Sequence, residues 1–371
     1  MRVLLDAHML GCRETGNETY VLNLLRQQAA FAQAGMSLYG LIRRSVSPEP
    51  TWSAQALLLE DEGDLHRLLI GLQRWARQTG AAGVHLTYHA PFWSRLPYVV
   101  TIHDVSYRTH LRYHRLRNVL VQNLFGALSA WRARAAITVS QFCQQAILRV
   151  YPFLKGRLFV TPEAADSHWS PRLPEAVAQV RRRLGIGERY VLWVGGMQPR
   201  KNPLRLVEAF LRATQDNASV QLVLVGTHAT PTGARLKQRF AEAIRQKRVI
   251  LTGYVDDEAL ACLYSGCTAF VFPSLYEGFG LPVLEAMRCG APVITSNVTA
   301  LPEVAGDAAL LVDPADTEAI AHAIWRVLTE PALRAALRER GFRRAAQFSW
   351  AQTARLTAEA YQFAFSPRAA R

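Results

Sequence analysis

The feature that most constrains the fold is a series of short apolar runs, alternating with amphipathic stretches, that starts a second time midway along the chain. Nearly continuous apolar runs are typical of strands buried on both faces of a parallel sheet. The amphipathic stretches predict helices that cover such a sheet. The predicted strands are 2–6, 37–42, 84–88, 98–102 and 135–139, then 190–194, 220–225, 249–251, 269–272, 292–295 and 309–312.

The same alternation predicts two domains. The predicted helices include 18–33, 203–213, 234–246 and 317–328. A further helix is predicted at 350–365, with Ser349 as N-cap and Pro367 beyond its end. Between the two series, residues 161–174 hold three prolines and follow no period, as linkers do. We expect an α/β protein of two Rossmann-like, doubly wound domains, 1–165 and 166–349, and a C-terminal helix in 350–371 that returns to the N-terminal domain. Ligands of such sheets bind at the carboxyl ends of strands, which predicts a central cleft faced by both domains.

Length and composition exclude several classes of protein. A chain of 371 residues exceeds what one core usually supports, and 50% apolar residues are too many for a disordered chain. Asp6 comes too early for a signal peptide, and no apolar run reaches the ~20 residues that span a bilayer. The five cysteines have no metal-ligand spacing, and the acidic run at 60–64 is typical of a solvated helix start. We therefore expect a cytoplasmic protein with reduced thiols and no metal site.

The net charge of +14 leaves three kinds of anionic partner open: polyphosphates, nucleic acid and an anionic membrane. The excess is spread over both halves rather than gathered in an arm, which argues against nucleic acid. Residues 108–117 interleave arginines with aromatic residues, as a membrane-surface or nucleic-acid patch does. A solvated helix explains the same pattern, so charge alone does not identify the partner.

The segment 272–287 carries the strongest chemical signal. An apolar strand ends there in a turn that contains Gly278 and Gly280, and Pro282 suits the first position of a new helix. Glycines let backbone amides approach a ligand, and a helix N-terminus attracts phosphate. Glu277 lies at the mouth of this turn, and Glu285 lies about one helical turn inside, where a carboxylate can accept both hydroxyls of a ribose. The segment predicts a phosphate site, and the alternative interpretation is an ordinary turn followed by a glutamate that offsets the helix dipole.

Two further pairs of residues follow predicted strands. Arg200 and Lys201 come after strand 190–194 and its Gly195–Gly196 turn, where cations can neutralise a diphosphate. His103, followed by Asp104, ends strand 98–102, where an imidazole can bond a sugar hydroxyl and support charge at an anomeric carbon. A solvated basic pair and a structural histidine are the alternative interpretations of these two pairs.

The motifs taken together resemble glycosyltransferase family 4, also called group 1, whose members are retaining enzymes of the GT-B fold. The resemblance covers essentially the whole chain and is most specific in the E-G-F-G-L-P-x-L-E-A segment from Glu277. The His103-Asp-Val-Ser106 version looks most like the branch of bacterial mannosyl- and rhamnosyltransferases that build surface polysaccharides. The other matching motifs are Val139-Ser140, Val194-Gly-Gly-Met-Gln-Pro-Arg-Lys-Asn202, Leu224-Val-Gly226, Leu251-Thr-Gly-Tyr254 and Pro302-Glu-Val-Ala-Gly-Asp307.

The resemblance implies roles for individual residues. Glu285 binds the donor ribose, Glu277 contacts the transferred sugar, Lys201 binds the diphosphate and His103 faces the sugar, with Asp104 orienting the imidazole or the acceptor hydroxyl. The remaining donor contacts that the resemblance implies are Gly16 of the N-terminal glycine loop, Gly196, Arg200, Tyr254 beside the base, and the turn Gly278, Phe279, Gly280 and Leu281. Two positions depart from the family: Glu18 stands where others have a second glycine, and Gly196 stands where many have an arginine.

The sequence thus predicts metal-independent, retaining transfer of a hexose, with mannose favoured, from a nucleoside diphosphate sugar to a glycan or lipid-linked glycan. A GDP-sugar is the favoured donor, a UDP- or dTDP-sugar remains open, and no cofactor is expected. Contact with an anionic membrane at the inner face of the cell membrane suits the basic surface. A nucleotide-sugar 2-epimerase of the same fold is the alternative, and a nucleic-acid-binding protein is a distant one.

Overall fold

The computed structural model describes residues 1–12, 15–59, 67–87, 96–109, 119 and 122–366. The acidic run at 60–64, Tyr88, Pro367 and all of the basic patch except 108–109 lie outside this part of the chain. The chain divides into two compact units, Met1–Glu163 with Ser349–Arg371, and Ala164–Phe348. The first division lies two residues before the predicted one, and the C-terminal helix belongs to the first unit.

The first unit is built on a parallel sheet whose described strands follow the order β3-β2-β1-β4-β5-β6-β7. The strands are β1 Arg2–Asp6, β2 Ser37–Arg43, β3 Ala56–Leu59, β4 Gly83–Thr87, β5 Tyr98–Thr101, β6 Ala135–Thr138 and β7 Leu158–Val160. The described α-helices of this unit are Thr15–Arg26, Gln28–Gln33, Leu72–Thr79, Ser106–Thr109, Ala127–Arg132, Gln141–Val150 and Trp350–Phe365.

The second unit is built on a parallel sheet in the order β10-β9-β8-β11-β12-β13. The strands are β8 Tyr190–Val194, β9 Gln221–Val225, β10 Val249–Gly253, β11 Ala269–Phe272, β12 Val293–Ser296 and β13 Ala309–Val312. The helices are Pro174–Leu184, Pro203–Ala213, Pro231–Arg239, Ala241–Arg245, Asp257–Gly266, Leu281–Arg288, Leu301–Ala305, Thr317–Thr329 and Pro331–Ala345.

Each sheet reverses its strand order once, and this reversal positions the site. In the first unit the reversal lies between β1 and β4, and in the second it lies between β8 and β11. The chain leaves two neighbouring strands in opposite directions there, which opens a crevice at their carboxyl ends. The predicted doubly wound α/β class is therefore confirmed for both units.

The prediction failed where elements are short or interrupted. Every predicted strand is present to within about two residues, but β3 and β7 were missed. The predicted helix 18–33 breaks at Gln27, and 234–246 breaks at Phe240, whose backbone leaves helical geometry with φ −114° and ψ 27°. The predicted C-terminal helix is confirmed, with the Ser349 hydroxyl accepting from the Gln352 amide at 3.2 Å.

The C-terminal helix is tied into the core of the first unit. Tyr361 Oη lies 2.6 Å from Nδ1 of the buried His85, whose Nε2 lies 2.7 Å from Thr101 Oγ1. The ring of Phe365 covers Gly83 so closely that a Cβ on that glycine would lie 2.1 Å from Cε1. A side chain at Gly83 would therefore displace the end of this helix.

Candidate functional site

A cluster of charged residues lies at the strand reversal of the second sheet. The chain leaves β8 through the 3₁₀ turn Pro199–Lys201, and Glu277 follows β11, the neighbouring strand. Two contacts join the turn to the segment after β11: the Leu275 amide donates to the Arg200 carbonyl at 2.7 Å, and Asn202 Nδ2 donates to the Pro273 carbonyl at 3.1 Å. Asn202 adopts φ 60°, which ends the turn.

The Glu277 carboxylate is buried between two cations. Lys201 Nζ lies 2.6 Å from Oε1, and Arg200 Nη1 lies 3.2 Å from Oε2. The Glu277 side chain is 9% exposed, and burial alone would raise its pKa. Lys201 and Arg200 outweigh that effect and hold the pKa below its ordinary value, so the carboxyl is an anion at neutral pH. The structure thus brings together three of the predicted site residues.

The glycine turn ends at the N-terminus of the helix Leu281–Arg288. Gly280 adopts φ 121°, and a Cβ there would lie 2.7 Å from Leu301 Cδ2, so a side chain at this position would be strained. The sequence predicts Pro282 at the first helical position. In the structure it occupies the second, because the helix begins at Leu281. Proline has no amide hydrogen, but at either position an amide would have no acceptor within the helix, so no helical hydrogen bond is lost.

Phe279 and Leu281 of this turn have buried side chains, at 5% and 8% exposure. The Phe279 ring packs edge-on against Phe348 with centroids 5.9 Å apart. Because these side chains face the protein interior, only their backbone groups are available to a ligand.

Glu285 lies inside the helix, where its side chain is partly buried against a tyrosine. Tyr264 Oη donates to Glu285 Oε2 at 3.2 Å. Burial raises the pKa of Glu285 to about 7, although the Tyr264 hydrogen bond opposes the shift. The sequence motifs did not predict Tyr264. Its only signal was a hydroxyl-bearing side chain among the apolar residues of the helix Asp257–Gly266.

Gly196 and Tyr254 lie at the carboxyl ends of β8 and β10. A Cβ on Gly196 would meet Thr227 Cγ2 at 3.6 Å, an ordinary contact, so packing does not require glycine there. Tyr254 is 74% exposed at the end of the edge strand β10 and has no described contact with the Glu277 cluster. Its predicted contact with a base stays a prediction.

His103 and Asp104 follow β5 in the first unit. The His103 ring packs edge-on against Tyr20 at 5.1 Å between centroids, and its Nδ1 lies 3.7 Å from Oε1 of the buried Glu163. Burial lowers the pKa of His103 to about 4, opposed by Asp104, so the imidazole is neutral at physiological pH. Asp104 Oδ1 accepts from the Ser106 amide and hydroxyl at 2.8 and 2.7 Å, just before the helix Ser106–Thr109. Glu163 was missed, because a lone acid in a linker carries no motif.

Gly16 is the second residue of the helix Thr15–Arg26, and it is exposed. A Cβ there would meet no atom within 4 Å, so packing does not explain the glycine. Glu18, the departure from the family pattern, accepts a hydrogen bond from the Gly11 amide at 2.7 Å and fastens the loop after β1.

Neither a metal centre nor a membrane-spanning helix is found in the part of the chain that the structure describes. Among the described residues, there is no group of three or more His, Cys, Asp or Glu side chains that could hold a metal ion. None of its helices is long and apolar enough to cross a bilayer.

Comparisons with known proteins show the family of the chain and its fold. A family profile for group 1 glycosyl transferases matches residues 178–344. The chain is 37% identical over 284 residues to O-antigen chain mannosyltransferase B of Escherichia coli, a match that covers 74% of each chain. It is 31% identical over 234 residues to the serotype-specific mannosyltransferase WbdA of Escherichia coli, which covers 62% of this chain and 29% of the relative.

Solved structures of the GT-B fold match nearly the whole chain. Sucrose-phosphate synthase from Thermosynechococcus elongatus aligns with a TM-score of 0.76 at 24% identity and covers 98% of both chains. Anabaena Alr3699/HepE, solved in complex with UDP and glucose, aligns with a TM-score of 0.76 at 18% identity over 98% of this chain and 99% of that one. At these identities the likeness shows the fold, and it confirms the predicted GT-B class.

Proposed function

The chain belongs to the group 1 glycosyltransferases, and from this premise we propose that it transfers mannose, with retention, from GDP-mannose to a hydroxyl of a glycan or lipid-linked glycan. The observation that carries the proposal is the Glu277 carboxylate buried between Arg200 and Lys201 in front of the turn that starts the helix Leu281–Arg288. The names of the Escherichia coli relatives support mannose as the sugar and a surface polysaccharide as the product.

The charges of this cluster fit a diphosphate. Arg200 and Lys201 exceed Glu277 by one positive charge, and the helix N-terminus adds partial positive charge. A diphosphate that enters the site competes with Glu277 for both cations, which then meet the charge that develops on the leaving group. Because the protein supplies this charge, the proposed transfer needs no divalent cation.

The two glutamates fit different parts of the donor. In the proposed complex, Glu285 accepts hydrogen bonds from the ribose hydroxyls, for which its ionised form is the better acceptor. Glu277 contacts the transferred sugar, where a carboxylate stabilises positive charge at the anomeric carbon. In the first unit, His103 contributes a neutral imidazole that can donate a hydrogen bond to a sugar hydroxyl.

A basic, apolar surface of the first unit supports peripheral contact with an anionic bilayer at the cytoplasmic face of the membrane. Leu124, Trp131 and Phe153 are 59%, 63% and 41% exposed. Arg157 joins two of them, because its Nη2 donates to the Trp131 carbonyl at 3.0 Å and its guanidinium lies 5.8 Å from the centre of the Phe153 ring. Residues 96–162 contain nine Lys and Arg but a single acid, Asp104. Exposed aromatic residues among cations suit a bilayer of anionic lipids.

A panel of donors tests the function. Melting temperatures are measured with GDP-mannose, UDP-glucose and dTDP-rhamnose, since a ligand at 100 times its Kd adds about 2.7 kcal/mol to the unfolding free energy. The best donor is then incubated in EDTA with mannose-containing acceptors, and the anomeric configuration of the product is determined by NMR. We expect GDP-mannose to stabilise most and an α-linked product to form in EDTA.

Two results would contradict the proposal. Activity that is lost in EDTA and restored by Mg²⁺ or Mn²⁺ would exclude the metal-independent route. Turnover of the donor without acceptor, with inversion at C2 of the sugar, would instead indicate the epimerase.

A further inference from the structure

Charged side chains are rarely buried, and four of those that the structure describes are nearly inaccessible: Asp6, Arg67, Glu163 and Glu277, at 2%, 5%, 5% and 7% exposure. Glu277 belongs to the proposed donor site. Asp6 and Arg67 pair with each other in the first unit, where Arg67 Nη1 donates to Asp6 Oδ2. Because burying two charges often costs as much as their attraction returns, such a pair is weak evidence for a purely stabilising role.

The buried pair holds a histidine by one ring nitrogen. Asp6 Oδ1 lies 2.9 Å from Nδ1 of His8, and the His8 side chain is 17% exposed. Burial would raise the pKa of Asp6, but His8 and Arg67 lower it, so the carboxyl is an anion that requires a proton on Nδ1. The other ring nitrogen, Nε2, has no hydrogen-bond partner among the described residues and is left to bond a group from solution.

The position of His8 is the one at which open sheets bind ligands. His8 follows β1, and the strand order of the first sheet reverses between β1 and β4. In the second unit the equivalent reversal, between β8 and β11, carries Arg200, Lys201 and Glu277. The corresponding crevice of the first unit is thus bordered by Asp6 and His8, which the sequence motifs did not assign.

The loop that presents His8 is fastened along its length. The Leu10 amide donates to the Ala7 carbonyl at 3.1 Å, and the Cys12 amide donates to the Met9 carbonyl at 3.1 Å. Glu18 holds the Gly11 amide. A side chain on a loop with this many internal bonds is oriented before a ligand arrives, as binding groups need to be.

We propose that His8 Nε2 binds a hydroxyl of the acceptor sugar, and that Asp6 and Arg67 are positioning residues that fix the tautomer and direction of the imidazole. This subsite rests on the proposed function in one respect: the reaction must have an acceptor that carries hydroxyl groups. It adds a subsite of the first unit to a reaction whose proposed donor contacts lie in the second.

Two substitutions distinguish the contributions of the two ring nitrogens of His8. In His8→Asn the amide nitrogen replaces Nδ1 and keeps the bond to Asp6, but nothing replaces Nε2. In His8→Gln the amide reaches the position of Nε2. Binding of methyl glycosides of mannose, galactose, glucose and N-acetylglucosamine is measured by saturation-transfer NMR, with and without GDP, and the GDP affinity of each variant is measured by calorimetry.

We expect His8→Asn to weaken glycoside binding about tenfold, the effect of one lost hydrogen bond, and His8→Gln to retain most of it. GDP affinity should be unchanged in both variants, because the proposed donor contacts lie in the second unit. The urea midpoint of each variant, compared with that of the wild type, shows whether the first unit is folded. Equal glycoside binding by the wild type and His8→Asn, or no binding of any glycoside by a wild type that binds GDP, would overturn the subsite while leaving the donor proposal intact. Failure of GDP to bind the wild type would instead count against the proposed function, and His8-dependent glycoside binding would still support the subsite.

Discussion

Lys201 Nζ lies 2.6 Å from Glu277 Oε1, and the two side chains are only 14% and 9% exposed. The same ammonium lies 4.8 Å from the centre of the Phe272 ring, on the last residue of β11. Glu277 therefore holds the Lys201 cation at the strand end where we propose that the donor diphosphate binds. The chain carries this pair at the strand reversal of its second sheet, which links the fold to the proposed chemistry.

Lys201→Ala should weaken binding of GDP. A charge-assisted hydrogen bond contributes about 1.5–3 kcal/mol, which corresponds to roughly ten- to hundredfold in affinity. Calorimetric titration measures the change, and the matched control is the same substitution at the exposed Lys237. Equal GDP affinity in the two variants would return Lys201 to the solvated-surface interpretation.

The affinity for GDP should rise with pH through the range in which Glu285 titrates. Burial raises the pKa of this carboxyl to about 7, so it is mostly protonated at pH 6 and mostly ionised at pH 8. If ribose binds the ionised form, affinity at pH 6 falls by up to about tenfold. Glu285→Gln does not titrate and is the control, because it keeps only the pH dependence of the nucleotide phosphates. The same pH dependence in both proteins would contradict the assignment.

Trp131→Ser combined with Phe153→Ser should abolish binding to vesicles of phosphatidylglycerol. The wild type should bind these vesicles and should not bind vesicles of phosphatidylcholine. Its affinity should fall as the salt concentration rises, because salt screens the attraction between the basic residues and the anionic lipids. Cosedimentation measures binding, and Trp325→Ser, at a residue of the second unit that is 48% exposed, is the control. Equal binding to neutral vesicles, or a patch variant that still binds, would contradict a lipid partner. A patch variant that changes from dimer to monomer would indicate a second copy of the chain instead.

Tyr361→Phe should destabilise the first unit. Its hydroxyl is one of two partners of His85, whose pKa burial lowers to about 3, so the ring is neutral and needs both partners. A buried polar atom without a partner costs about 1–3 kcal/mol, which should lower the urea midpoint. Tyr254→Phe removes a hydroxyl that is exposed and serves as the control. Equal midpoints would show that water or a rearrangement replaces the bond.

The fold was predictable because buried parallel strands are almost entirely apolar and the prolines and glycines between them mark the ends. Strand β3 was missed because Ala56–Leu59 consists of alanine and leucine, which favour helices, whereas strands such as β11 contain phenylalanine and valine. The break at Phe240 was missed because the apolar period continues across it, with Leu236, Phe240 and Ala243 all buried.

The site was predictable only where its residues are neighbours in sequence. Glu277 and Glu285 share one motif, and Arg200 and Lys201 share another, so each pair could be placed at a strand end. Residues that meet across the sheet could not: Tyr264 approaches Glu285 from another helix, and Arg67 approaches Asp6 from 61 residues away. Such pairs depend on the register of packed elements, which a single sequence does not specify.

The most direct test of the account compares Glu277→Gln with Glu285→Gln, each checked for folding by circular dichroism. Ribose hydroxyls are the same in the ground and transition states, so Glu285→Gln should weaken GDP binding and raise KM more than it lowers kcat. Glu277→Gln frees Arg200 and Lys201 from a carboxylate, so it should bind GDP at least as tightly as the wild type. Its kcat should fall about 10²–10³-fold, the usual effect of losing one preorganised electrostatic group.

GDP affinity and kcat measured on both variants therefore decide the roles of the two glutamates. We expect lost affinity for Glu285→Gln and lost turnover with intact affinity for Glu277→Gln. The reverse pattern would contradict the assignment, and normal affinity and turnover in both variants would show that the donor does not bind at this end of the second sheet.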